Sequence, residues 1–507
     1  MPVMRSKSID DRSPSSVTAR KPAGAFNWST ETFGFRIIRP AGKTDIAPGK
    51  STSLQSVKIA AHPALRAKAG LISSATTMRS DSSIAAPHAA CQNSFLEPFD
   101  FTEGTRSSNY LDILELLEVQ NADSVTPQTP MVLKVDEADL RDVIPVGYDE
   151  KEGIYFPLGF SNDAGELIIE TLPEATPADP AITSRSFGGS IKIYFQKVIG
   201  RKLGFAYNYP RLAIATVDEE LGVQYESDSA KVSAAIGQAQ NILLFVHGII
   251  GDTESMVKCV RLRTGESNLL QKNDLILSFD YENLQTTIEE NATFLKQRLM
   301  DSGLTEGHTK NLTIVAHSMG GLVSRWFIEK LGGNKITSRL VMLGTPNNGT
   351  PWADVRDMAE TLLTYAMNGA AFLKPWMFVL NLAGKITSGT QVTLKQMDKD
   401  TGIYKALNDG TDPMIPYTII AGNTRDIIPD YGKTASLLNR IFTRIRKRGM
   451  YDALDVVLFR EANDIAVTNK SIAEVGNAAN WKFQPKVTYV ASDHMNYFNN
   501  HAALSKI

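Results

Sequence analysis

From about Lys231 onward, short apolar runs alternate with segments of helical period. Ile242–Val246 and Leu275–Phe279 are apolar at nearly every position, as strands buried on both faces are. Between Thr286 and Ser302, Ile288, Ala292, Leu295 and Leu299 fall on one helical stripe, and Gly303 follows as a stop signal. Leu340–Leu343, Tyr417–Ala421 and Lys486–Val490 read as further strands. The pattern predicts an α/β domain over residues 236–507, with a mainly parallel sheet covered by helices and its ligand site at the strands' carboxyl ends.

Upstream the pattern differs. Met131–Val135, Val143–Tyr148, Ile154–Leu158, Glu166–Glu170 and Ser190–Gln196 are short β-rich runs separated by Asp149–Gly153, Asn162–Gly165 and Phe187–Gly189. They predict a small β-rich domain over residues 106–235, a scaffold or docking module of unknown partner. Asn109–Val119 reads as a short helix. Residues 1–105 are rich in Ser, Ala, Thr, Pro, Arg and Lys and lack a sustained period beyond Phe33–Ile38, so a disordered arm is expected.

Composition narrows the function. A net charge of −2 gives no bulk attraction to nucleic acid. Two cysteines, Cys91 and Cys259, make neither a disulfide framework nor a metal spacing. The segment Met1–Arg20 lacks the apolar stretch of a signal peptide. No run reaches the about 20 apolar residues that span a bilayer, and Ala370–Gly384 is broken by Lys374 and Pro375. A soluble, cytoplasmic protein is expected.

The stretch with the clearest chemistry is Leu312–Gly321, Leu-Thr-Ile-Val-Ala-His-Ser-Met-Gly-Gly. A β-branched run ends in small residues around Ser318, and a helical stripe of Leu322, Val323, Trp326 and Phe327 follows at once. A strand–turn–helix of this kind exposes the serine hydroxyl and leaves no room for bulk two residues either side; Ala316 and Gly320 meet that demand. A serine becomes a nucleophile when a histidine takes its proton and a carboxylate orients the imidazole. Of seven histidines, His494 follows the last apolar strand, where a loop can reach back to Ser318. His62, His88 and His308 lack supporting context, His247 suits loop shaping, His317 should point away, and His501 lies further along. Asp426, just past Tyr417–Ala421, and Asp464, in a polar turn, are both candidates for the acid, with Asp430 and Asp493 as outsiders. The Met319 amide and that of Ile249, in Gly248-Ile-Ile-Gly251, would bind an oxyanion.

Taken together, His247-Gly-Ile249, Ala316-His-Ser-Met-Gly-Gly321, Leu343-Gly-Thr-Pro-Asn-Asn-Gly349, Tyr417–Asn423, Asn463-Asp464 and Asp493-His494 resemble the α/β-hydrolase fold, in particular its lipase-like serine esterases and the related GPI inositol-deacylase-like group. The resemblance covers about half the chain, Ile242 to His494, and departs from the commoner glycine at Ala316. It implies a triad of Ser318, His494 and an acid, favours Asp464 because lipase-like relatives carry theirs in an Asp-x-x-Val-x-x-x-Ser context, and makes Pro351–Asp409 a cap. Apolar residues there, such as Leu362, Phe372, Trp376 and Phe378, suit an acyl-chain substrate or simply pack the cap. The function expected is cleavage of lipid-type acyl esters through an acyl-enzyme, without cofactor or metal. Acyl transfer by the same triad, or an inactive scaffold, is the alternative. The basic run Arg440–Arg448 suits peripheral contact with an anionic membrane or a solvated helix face.

Overall fold

The computed structural model describes residues 35–39, 43–76, 96–98, 110–135, 140, 143–149, 154–162, 164–173, 190–198, 209–249, 253–282, 286–350, 361, 364, 396–397, 401–426, 461–476 and 478–507. The apolar cap residues named above and the run Arg440–Arg448 lie outside them, as do Asp430, His88 and Cys91.

The α/β domain is built on eight strands: β1 (Arg211–Val217), β2 (Val223–Glu226), β3 (Asn241–Val246), β4 (Leu275–Asp280), β5 (Asn311–His317), β6 (Arg339–Leu343), β7 (Tyr417–Gly422) and β8 (Lys486–Val490). Their spatial order is β2-β1-β4-β3-β5-β6-β7-β8. The six strands from β4 to β8 in that order run parallel, and the β1–β2 hairpin is antiparallel. Alternate residues serve opposite faces, as the pleat requires. Ile242, Leu244, Ile314 and Met342 enter one apolar cluster, while Leu243, Phe245, Val315 and Val341 enter the other. Burial on both faces is why these strands read as unbroken apolar runs.

Helices α1 (Ser229–Gln238), α2 (Ile288–Asp301), α3 (Met319–Lys330) and α4 (Gly402–Leu407) accompany the sheet. α2 opens on a capping box between Thr287 and Glu290 and buries Ile288, Ala292, Leu295 and Leu299. It closes with Gly303 at φ +95° and a bond from the Leu304 amide to the Leu299 carbonyl, 3.0 Å. Register pairs Val246 with Ala316 and His317 with Leu343, so the carboxyl ends of β3, β5 and β6 share one rim. Among the described residues, no helix is long and apolar enough to cross a membrane.

Upstream lie two antiparallel sheets. One orders Phe35–Arg39, Arg66–Thr76, Tyr110–Gln120, Ser190–Val198, Val143–Asp149 and Ile154–Pro157; the other orders Gly159–Ser161, Leu167–Ile169, Met131–Val135, Val57–Ile59 and Thr52–Leu54. Three sequence expectations need correction here. Within residues 1–105, Thr44–Ile46, Thr52–Leu54, Val57–Ile59 and Arg66–Thr76 are strands, with Ile46, Leu54, Val57, Leu65 and Leu71 buried. Three of these strands have only three residues, too short to show a period, and Arg66–Thr76 mixes Ala, Gly, Ser and Thr with few large apolar residues. Tyr110–Gln120 is a strand paired on both edges and not a helix; its Glu and Leu content favours helix locally, and sheet pairing overrides it. The β1–β2 hairpin, assigned by sequence to residues 106–235, pairs with β4 of the α/β sheet, and α1 straddles the boundary drawn at residue 235, so the division falls nearer residue 210. His62, given no context by sequence, is buried, contacts the Thr129 carbonyl through Nε2 at 2.9 Å and accepts the Leu65 amide.

A buried ion pair ties α3 to its surroundings. Arg325 Nε donates to Glu329 at 2.8 Å, and both side chains have 0% exposure. Arg325 also donates to the Leu407 carbonyl (2.7 Å) and to Asn347 (3.3 Å), while the Tyr417 hydroxyl donates to Glu329 (3.0 Å). Removing one partner strands the other's charge, so Arg325→Met is expected to cost about 3–5 kcal/mol, measured as a lowered urea midpoint; Arg325→Met with Glu329→Leu should recover part of it.

Candidate active site

Ser318 sits between β5 and α3 with φ 51° and ψ −127°, a conformation that L residues rarely adopt. The Ser318 amide donates to the Leu343 carbonyl at 2.9 Å, which holds the turn against β6. Gly320 explains the need for a small residue: a Cβ there would lie 2.2 Å from the His247 carbonyl oxygen. Ala316 is fully buried in the sheet. A Cβ at Gly248 would lie 2.7 Å from Ser318 Cβ and 3.4 Å from its Oγ, so the loop after β3 runs directly against the serine.

His494 Nε2 lies 3.0 Å from Ser318 Oγ, and His494 Nδ1 lies 2.8 Å from Asp464 Oδ2. The carboxylate can only accept, so Nδ1–H donates to it and Nε2 is left to accept from the serine hydroxyl. Exposure is 2% for Ser318, 0% for Asp464 and 2% for His494. Asp464 Oδ1 accepts from the Ala466 amide (3.1 Å) and the Val467 amide (2.8 Å). The Asp464 carbonyl accepts the His494 amide at 2.8 Å, joining the two loops through their backbones.

The structure therefore brings Ser318, His494 and Asp464 together and leaves the other candidates elsewhere. Asp426, the rival acid, is exposed and accepts from Asn423 at 2.7 Å. Asp493 accepts from the Met495 amide and Asn496 within its own turn. His501 is exposed and contacts the Arg263 carbonyl at 3.0 Å. His308 contacts the Ile336 carbonyl. Met319, the first residue of α3, and Ile249, on the loop after β3, are both buried.

His247 and His317 are buried histidines with defined partners. His247 stacks on Tyr281 with centroids 4.3 Å apart and accepts the Tyr281 amide on Nε2. Its Nδ1 is therefore the donor, to the Gly248 carbonyl at 2.7 Å. Burial holds its pKa below the ordinary range. His317 Nε2 donates to the His494 carbonyl at 2.8 Å, with the two rings 4.8 Å apart. One residue escaped sequence reasoning: the Tyr497 hydroxyl donates to Asp464 Oδ2 at 2.7 Å. Its only sequence signal was an aromatic three residues after His494. Gly344 and Gly422 make room for it, since a Cβ at either would lie 2.8 Å from a Tyr497 atom. Among the described residues, no cluster of three or more His, Cys, Asp or Glu could hold a metal ion.

Residues 213–507, more than half of the chain, match the family described as Domain of unknown function (DUF7379). The chain belongs to that family. No curated protein matches the DUF7379 chain in sequence. Among solved structures it is similar to the mature lipase BlEst2 of Bacillus licheniformis, at 17% identity over 52% of this chain and 88% of that one, with TM-score 0.32. It is also similar to a lipase-esterase related protein of Clostridium acetobutylicum (14%, 53% and 93%, TM-score 0.29) and to phospholipase PlaB of Legionella pneumophila (15%, 46% and 45%, TM-score 0.28). Likeness of this degree carries no assignment of activity.

Burial and the facing His494 hold the His317 pKa down at about 3. The unfolded chain, with histidines near an ordinary pKa of about 6.5, then binds more protons than the folded one between those values. Stability contributed by neutral His317 is complete above that ordinary value and is lost as pH falls toward the folded one, at up to about 1.4 kcal/mol per pH unit. Replacing it by Gln is expected to flatten the fall in thermal midpoint across that window.

Proposed function

We propose that this chain is a serine hydrolase of the α/β-hydrolase type that cleaves carboxylic esters. The observation that carries the reading is the continuous relay from Ser318 through His494 to Asp464, buried at the carboxyl rim of a parallel sheet. Ser318 Oγ attacks the ester carbonyl as His494 Nε2 takes its proton, and Asp464 stabilises the imidazolium that forms. The imidazolium returns the proton to the leaving alcohol. Water, activated by the same imidazole, then attacks the acyl-serine, releases the acid and restores the serine.

The developing oxyanion is assigned to the amides of Met319 and Ile249. Met319 opens α3, where a backbone N–H lacks an intrahelical acceptor and the helix dipole favours negative charge. The Ile249 amide shares a peptide plane with the Gly248 carbonyl, and in a trans peptide the two point in opposite directions. By fixing that carbonyl, His247 fixes the direction of the Ile249 N–H. The lipid acyl class, and kinship with lipase-like and GPI inositol-deacylase-like enzymes, rest on the motif resemblance and on the apolar Pro351–Asp409 sequence. Each buried CH₂ of a substrate chain would contribute about 0.8 kcal/mol.

Ser318→Ala is expected to lower hydrolysis of a p-nitrophenyl ester by at least roughly 10⁴-fold without changing the thermal midpoint. A fluorophosphonate probe should label Ser318 in the parent protein; absent labelling would favour the inactive scaffold. An ester panel of graded acyl length tests the substrate class, and an added alcohol acceptor tests for acyl transfer. Asp464→Asn should lower turnover by roughly 10⁴-fold, with Asp426→Asn close to wild type; the reverse ranking would move the acid to Asp426.

A further inference from the structure

We propose that Tyr497 is a positioning residue for the Asp464–His494 pair, its hydroxyl orienting the carboxylate and moderating the charge offered to the imidazole. The proposal rests on the relay described above, for which it supplies a regulator of basicity. The phenol is fully buried, and its hydroxyl is hydrogen-bonded on both sides. Its oxygen accepts the Gly422 amide at 2.7 Å, which leaves the O–H to donate to Asp464 Oδ2, also 2.7 Å away. That oxygen is the one that receives His494 Nδ1–H. The bonds therefore connect the end of β7 through Tyr497 and Asp464 to His494 and Ser318, with the donor direction reversing at Oδ2, which takes both the phenol and the imidazole.

The surroundings are shaped around this contact. Gly344, at φ +60°, faces Tyr497, Asp464 and His494 at once: a Cβ there would lie 2.8 Å from the phenol ring, 2.9 Å from Asp464 Oδ2 and 3.1 Å from His494 Nδ1. At the end of β7, where simple topology would place the acid itself, the structure instead has Gly422 and, through it, this hydroxyl. Burial first, and then Asp464, keep the phenol well above its ordinary pKa, so it remains a donor. Among the described residues, the titratable groups facing His494 are Asp464, His317 on β5 and Tyr497; Tyr497 also feels Asp493.

A donor on Oδ2 competes with the imidazolium for the same lone pairs. Removing it should make His494 a stronger base; strengthening it should do the opposite. The test compares the full-length chain, Tyr497→Phe, and a chain with 3-fluorotyrosine at position 497, a stronger donor of nearly the same shape. His494 titration is followed by NMR of labelled imidazole, its signal assigned by loss in His494→Gln, and phosphonylation of Ser318 by a fluorophosphonate, with release of fluoride, is timed against pH. The expected result is a midpoint about half a pH unit higher in Tyr497→Phe, a phosphonylation rate about tenfold lower above both midpoints because the carboxylate loses one of its holders and the imidazole its orientation, and a lower midpoint with 3-fluorotyrosine. Equal midpoints in the folded proteins would overturn the proposal. If Tyr497→Phe does not fold, the 3-fluorotyrosine arm decides alone, and an unshifted midpoint rejects it. A shifted midpoint in a chain whose Ser318 takes no probe supports the role of Tyr497 and removes only the nucleophile assignment.

Discussion

A carboxylate with no exposed surface must have its charge answered by neighbours, and the Asp464 environment meets that constraint completely. Two backbone amides hold one oxygen, and an imidazole and a phenol hold the other. Burying an ion without such partners would cost several kcal/mol. The constraint propagates outward. The turn around Asp464 places Ile465 at φ 87°, costly for a β-branched residue, and bridges Asn463 to Thr468. Gly344 and Gly422 give up side chains so that the donors can approach.

What the sequence made legible was local. β5, the turn at Ser318 and α3 are contiguous, so a β-branched run, small residues and a helical stripe announce them within twenty residues. The parallel sheet was legible because burial on both faces leaves unbroken apolar runs. His494 stood out in the sequence because it lies four residues past the end of β8. The choice between Asp464 and Asp426 needed a motif resemblance, because which loop reaches the imidazole depends on packing between segments far apart in the chain. Between Thr44 and Thr76, Thr52–Leu54 and Thr44–Ile46 pair within the segment but are only three residues long, while Val57–Ile59 and Arg66–Thr76 also depend on distant partners, Met131–Val135 and Tyr110–Gln120. Tyr497 was hidden for a related reason, since nothing in its own segment reveals an acceptor 33 residues upstream.

The two parts of the chain share apolar packing. Ile144, Val146, Ile154, Tyr155 and Phe160 from the antiparallel sheets join the apolar cluster that contains β3, β5 and α2 residues. Burial of this kind contributes about 25 cal/mol per Å² of apolar surface, so the upstream sheets help hold the α/β domain together. The Arg325–Glu329 pair works from inside, linking α3 to α4 and to the loop after β6.

The backbone bond between His494 and Asp464 has a mechanical consequence. Because the two loops are clasped to each other as well as joined through their side chains, they travel as one piece. His317, the residue beside Ser318, anchors the same piece to β5, since its Nε2 donates to the His494 carbonyl. The distance between imidazole and hydroxyl is thus set from two backbone anchors, one on the Asp464 turn and one next to the serine itself.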